Sequence, residues 1–184
     1  MNIFNKMVYS ALCITRNKKS LTVINKVANI DDYNMIISNL YLGNIKAAHD
    51  INFLEKNNIS AIVNCTENED FSDYFKDKTK FRLLIKDSKD TNNMNKFKND
   101  IIDSINFIEE CLNNNKPVFV HCYWGLMRSA TVIAAYLIKK YNISKLDAIN
   151  IIKEQRPMAL SSIYNFNEIL DFVESKYVNK DNSE

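Results

Sequence analysis

Long apolar runs are missing from these 184 residues, so no transmembrane helix is expected. The opening stretch MNIFNKMVYSALCITRNKK is a poor leader, its apolar part broken by Asn, Lys and Ser and lacking a clear cleavage site. Paired cysteines are missing too. The four Cys stand at 13, 65, 111 and 122, with no C-x-x-C pair and no histidine at zinc spacing. Such scatter speaks against a disulfide scaffold and for free thiols in a reducing compartment, hence a soluble intracellular protein, cytoplasmic with the nucleus as the alternative. A strong charge of either sign is absent. A net charge of +2 gives no ground for a nucleic-acid or membrane partner. Arginine is scarce, four against twenty lysines, so each Arg merits attention where Lys would have served for plain surface charge.

What remains is globular: 46% hydrophobic and 25% charged, without low-complexity tracts, enough for one domain with a substantial core. Ile3, Phe4, Met7, Val8, Ala11 and Leu12 recur at helical spacing, and a basic run at 16–19 suits that helix's C-terminus. Residues 1–30 are therefore read as an amphipathic helix and linker. The helix is expected to pack on its own domain, with a homodimer through the stripe as the alternative. The main domain is expected over 31–178 and a polar tail over 179–184.

From residue 36 strand and helix alternate. A strand region Ile36–Leu42 with a turn at Gly43 leads to a helix over 46–57. The runs ISAIVN (59–64) and FRLLI (81–85) read as strands. Phe97, Ile101, Ile105 and Ile108 share one face of a helix over 96–112. Pro117 opens the strand VFV at 118–120. Helices follow at about 129–141, at 145–156 with Ser144 as cap and Asp147 three later, and at about 162–177. This alternation predicts an α/β fold, a central mostly parallel sheet flanked by helices, with ligands bound beyond the carboxyl ends of the strands.

The chemistry falls at such an end. After VFV comes His121-Cys122-Tyr123-Trp124-Gly125-Leu126-Met127-Arg128-Ser129. A strand ends, the loop 122–128 turns, and a helix begins, so successive backbone N–H groups of Tyr123, Trp124, Gly125, Leu126, Met127 and Arg128 can converge on one anion. Gly125 supplies the backbone freedom of a tight cradle. The same N–H groups and a nearby cation favour a thiolate at Cys122. The Arg128 fork pairs two phosphate oxygens at once. Ser129 places a hydroxyl beside the sulfur, and His121 is expected to orient the loop by hydrogen bonding.

The string resembles the protein tyrosine phosphatase superfamily, whose signature is HC-x5-R-[ST], and most closely its small dual-specificity phosphatases. Asn39-Leu40-Tyr41-Leu42-Gly43, Ala61-Ile62-Val63-Asn64, and Arg156-Pro157 followed by Phe166 match further motifs, so the resemblance covers about residues 36–175. It implies a protein tyrosine phosphatase-like fold, phosphorylated proteins as substrates and no metal or other cofactor. Cys122 would attack phosphorus, Arg128 and the loop would hold the oxygens, and Ser129 would stabilise the leaving sulfur. An Asp would protonate the departing oxygen. Ile85-Lys86-Asp87 matches the family's acid motif, and Asp90 is the competitor. Some members guard the nucleophile with a second cysteine, a role that would fall here to Cys65. Cys13 and Cys111 read as ordinary helical positions. Trp124, where the family usually has Ala, and Met127, where it often has Ser or Asn, would reshape the pocket rim or the loop's support. Alternatives are a non-catalytic phosphoprotein-binding relative, a phosphoinositide phosphatase, an RNA 5′-triphosphatase and a rhodanese-type sulfurtransferase.

Overall fold

The computed structural model describes residues 31–88, 90–161 and 166–178, and the described residues from Asp32 onward form one compact unit. The expected N-terminal helix, Cys13 and the polar tail lie outside the described residues.

Five strands make one sheet in the order β1-β2-β5-β3-β4. Strand β1 (Tyr33–Ile37) and β2 (Leu40–Gly43) are antiparallel, joined through Ser38-Asn39, where Asn39 takes a left-handed φ of 62°. The turn thus lies at Asn39, not at Gly43, which ends β2. A side-chain amide tolerates this conformation better than most groups. The remaining pairs are parallel: β2 with β5 (Val118–His121), β5 with β3 (Ala61–Asn64), and β3 with β4 (Thr79–Arg82). Every residue of β2, β3 and β5 is buried, which is why these segments read as short continuous apolar runs.

The two sheet faces are filled differently. Tyr41, Phe119 and Ile62 lie in register and pack with Ala47, Ala48, Phe53 and Leu54 of two short helices. Phe53 meets the Phe119 ring edge-on, centroids 5.1 Å apart. The expected helix over 46–57 is in fact these two, α1 (Ile45–Ala48) and α2 (Ile51–Lys56). Asp50 breaks it: its carboxylate accepts from Phe53 N–H at 3.2 Å and starts a new helix.

On the opposite face lie α3 (Thr91–Asn113) and α4 (Arg128–Tyr141), with α5 (Lys145–Gln155) and α6 (Asn167–Tyr177) against α4. Residues 128–138 of α4 are all buried, so this helix is a core element on every side. Full burial of each Ile or Leu there contributes about 1.5–3 kcal/mol. Ser144 caps α5, accepting from Asp147 N–H at 3.1 Å, as the sequence spacing predicts. Among the boundaries that differ from expectation, two border the loop between β4 and α3. β4 ends at Arg82 because β3, its partner, ends at Asn64. The helix expected from 96 begins at Thr91, where Asp90 caps it.

Candidate active site

Strand β5 runs through the middle of the sheet and delivers Cys122 at its carboxyl end. The loop that follows is shaped by what its carbonyls do. Tyr123 C=O accepts from Ile45 N–H at 3.1 Å and Leu126 C=O from Leu160 N–H at 2.9 Å. Met127 C=O accepts from Thr131, both N–H at 2.8 Å and hydroxyl at 2.9 Å. Between them, Arg156 donates Nε–H to Gly125 C=O at 2.8 Å and a terminal N–H to Trp124 C=O at 3.3 Å. All peptide bonds described are trans. In a trans peptide the N–H and C=O of one unit point in opposite directions. Carbonyls 123–127 held outward therefore turn amides 124–128 toward the loop's interior, a geometry that can converge on one anion. One amide is already engaged there: Gly125 N–H donates to Cys122 Sγ at 3.2 Å.

Gly125 adopts φ +68°, and a Cβ at this position would stand 2.4 Å from the carbonyl carbon and oxygen of Gly43. Loop and β2 terminus are packed backbone on backbone, which only glycine permits.

The sulfur of Cys122 is buried and receives a second hydrogen bond, from Ser129 Oγ at 3.2 Å. Burial alone would push the thiol up. The Arg128 guanidinium and the hydrogen bonds from Ser129 outweigh that together, so the group titrates below an ordinary cysteine. Arg128 is itself buried. It donates to Ile85 C=O at 3.2 Å and lies 3.6 Å from the Asp87 carboxylate, while its Nε–H is buried without a protein partner. A buried, unpartnered guanidinium N–H beside a cradle of amides is the donor set of an oxyanion site.

The two candidate acids separate clearly. Asp87 is half-exposed, beside Arg128. Asp90 accepts from Asn93 N–H at 3.0 Å as the cap of α3 and from the Ser88 hydroxyl. These hydrogen bonds, Ser88's first, hold its carboxyl below the usual range. Its oxygens are committed to the helix terminus.

His121 departs from expectation. Its ring is buried, and neither nitrogen has a hydrogen-bond partner among protein atoms. Burial pushes the imidazole down to about 3, so it is neutral. It stacks on Phe119 with 7° between the planes. Its position is fixed by packing.

Cys65 follows β3, the neighbour of β5, and its N–H donates to His121 C=O at 2.8 Å. Burial, then the charge of Cys122, push this thiol well up. Cys111 is buried on α3. Of the bulky loop residues, Met127 is buried, whereas Tyr123 is exposed and meets the half-buried Trp124 edge-on. Among the described residues no group of three His, Cys, Asp or Glu could hold a metal ion, and no helix is long and apolar enough to cross a membrane.

Residues 40–175 match the family described as "Dual specificity phosphatase, catalytic domain". The chain belongs to that family. Dual specificity protein phosphatase 9 of Homo sapiens is 34% identical over 144 residues, 76% of this chain but 36% of that protein. Dual specificity protein phosphatase 1 of Arabidopsis thaliana is 28% identical over 144 residues, 78% of this chain and 70% of that protein. The crystal structure of DUSP15 superposes with TM-score 0.70 at 27% identity, covering 79% of this chain and 89% of that one. Human DUSP28 gives TM-score 0.70 at 20% identity over 79% and 95%, a likeness of fold alone. The chain spans about a third of the length of the first curated relatives it matches. Within this dual specificity phosphatase domain, sequence reasoning noted Arg156 only as part of a matching motif and missed Asn93, which joins Lys86 and Ser88 to α3. The scarcity of arginine was the signal that could have found Arg156.

Proposed function

We propose that this protein hydrolyses phosphotyrosine and phosphoserine or phosphothreonine in proteins through a phosphocysteine intermediate. The observation that carries this reading is the buried Cys122 sulfur. It accepts from Gly125 N–H and Ser129 Oγ at the base of a loop whose carbonyls 123–127 are held outward, beside the unpartnered Nε–H of Arg128.

Cys122 thiolate attacks phosphorus in line, forming the S–P bond as the ester P–O bond breaks. The loop amides and Arg128 hold the three non-bridging oxygens. Each such donor is worth about 10²–10³ in rate where charge develops. Asp87 gives its proton to the leaving oxygen, a contribution of about 10²–10⁴. Water then attacks phosphorus, Asp87 takes its proton, and Cys122 departs as a thiolate received by the Ser129 hydroxyl. A nucleophile that must remain a free thiol fits a reducing compartment, and we place the protein in the cytoplasm.

The test is turnover of p-nitrophenyl phosphate and of phosphotyrosyl and phosphothreonyl peptides in the presence of a chelator, beside Cys122→Ser. Turnover abolished by the substitution, on both peptide classes, supports the reading. Preference for a phosphoinositide or a 5′-triphosphorylated RNA would replace the substrate class. Phosphopeptide binding without turnover would make it a binding module.

A further inference from the structure

Strand β4 loses its partner after Arg82, yet the acid-bearing segment beyond it must be held in place. Leu83 N–H still reaches Asn64 C=O at 2.9 Å, and Ile85 C=O accepts from Arg128 at 3.2 Å. The next residues have no strand to pair with. One side chain takes that role. Asn93, buried on the first turn of α3, accepts from Lys86 N–H at 2.9 Å and donates to Lys86 C=O at 3.0 Å and to Ser88 C=O at 2.6 Å. A carboxamide has the donor and acceptor of a peptide group, so it pairs Lys86 in both directions as a neighbouring strand would. The three contacts also dictate which end of the amide is oxygen. The Ser88 hydroxyl is fastened in turn to Asp90. Asp87 is thus bracketed by pinned residues on both sides.

Resting on the reading of Asp87 as general acid, we infer that Asn93 is the positioning residue that holds the Asp87 carboxylate over the phosphate loop. The acid segment of this chain is therefore set in place before substrate arrives. Ordering it in advance removes a cost that each catalytic cycle would otherwise meet.

The experiment compares kcat/KM, which reports transfer to Cys122, across aryl phosphates graded from nitro- and fluoro-activated esters to phenyl phosphate. The proteins are wild type, Asn93→Ala, Asn93→Asp, Asp87→Asn and Asp87→Asn/Asn93→Ala. An activated leaving group needs no proton, so only poor leaving groups report the acid. Asn93→Ala is expected to lose about 10- to 100-fold on phenyl phosphate and no more than about threefold on the most activated ester. Asn93→Asp keeps the size but loses both donated hydrogen bonds, and should lose in the same direction. The double variant should fall no lower than Asp87→Asn. Equal loss on every ester in both Asn93 variants, or a double variant well below Asp87→Asn, would overturn the inference. If Asp87→Asn itself leaves leaving-group dependence unchanged, the acid assignment fails first, and the role of Asn93 with it.

Discussion

Gly125→Ala isolates the geometry of the anion cradle from its chemistry, because it adds one methyl group and removes no polar atom. The new Cβ would stand 2.4 Å from the carbonyl carbon and oxygen of Gly43 and 2.9 Å from Asn44 N, where ordinary contact begins at 3.4 Å. Both partners are backbone, one ending β2 and the other capping α1, so neither can swing aside as a side chain would. The loop must retreat by about 1 Å, enough to carry an N–H···O bond beyond its working range of about 2.7–3.2 Å. A misplacement of that size costs about 10²-fold in rate. The left-handed φ of +68° adds about 1–2 kcal/mol of strain for a residue with a Cβ. Stability and activity should therefore fall by different amounts: a few degrees in Tm, but about two decades in kcat/KM with a matching loss of vanadate affinity. Thermal unfolding, vanadate titration and kinetics on one preparation measure all three. Activity and vanadate binding within about threefold of wild type would refute the claim that backbone packing against Gly43 sets the cradle.

Arg156→Lys should weaken vanadate binding and lower unfolding free energy by about 1–3 kcal/mol for each loop carbonyl left unpaired, since a lysine cannot serve Gly125, Trp124 and Asn34 at once; denaturant unfolding that matches wild type would contradict this. The rate of Cys122 alkylation by iodoacetamide should rise with pH to a midpoint below the ordinary cysteine value of about 8.5, because the cationic neighbourhood favours the thiolate. Arg128→Met should move that midpoint upward, and an unmoved midpoint would remove the guanidinium as its cause. Under mild peroxide, Cys122 sulfenic acid is expected to condense with the Cys65 thiol, releasing water and forming a disulfide that dithiothreitol reverses. Peptide mapping checks this, and Cys65→Ser should convert reversible into irreversible inactivation.

The legible parts were those written locally. VFV at 118–120 announces a buried parallel strand by its continuous apolar run, and Ser144 with Asp147 announces a helix start within four residues. The candidate loop is contiguous from Cys122 to Arg128, so its proposed chemistry could be read without knowing any tertiary contact. What escaped acts across distance. Arg156 joins Gly125 and Trp124 to Asn34, which is far away in sequence. Asn93 reaches back to Lys86 in a chain so rich in Asn that one more carries no signal. The helix break at Asp50 was missed because the apolar pattern of 45–56 continues through it, while the cap competes only for one N–H group. Arginine scarcity held information: Arg82, Arg128 and Arg156 each donate to backbone carbonyls in loops at the carboxyl edge of the sheet.

The central claim is that Cys122 carries the phosphoryl group. Rapid acid quench of Ser129→Ala during turnover, followed by mass spectrometry of its peptides, tests it most directly, because loss of the hydroxyl should slow release of the sulfur and let the intermediate accumulate. The account predicts a phosphoryl group on Cys122, absent from Cys122→Ser. Steady turnover with that cysteine unmodified, or retained by Cys122→Ser, would contradict it.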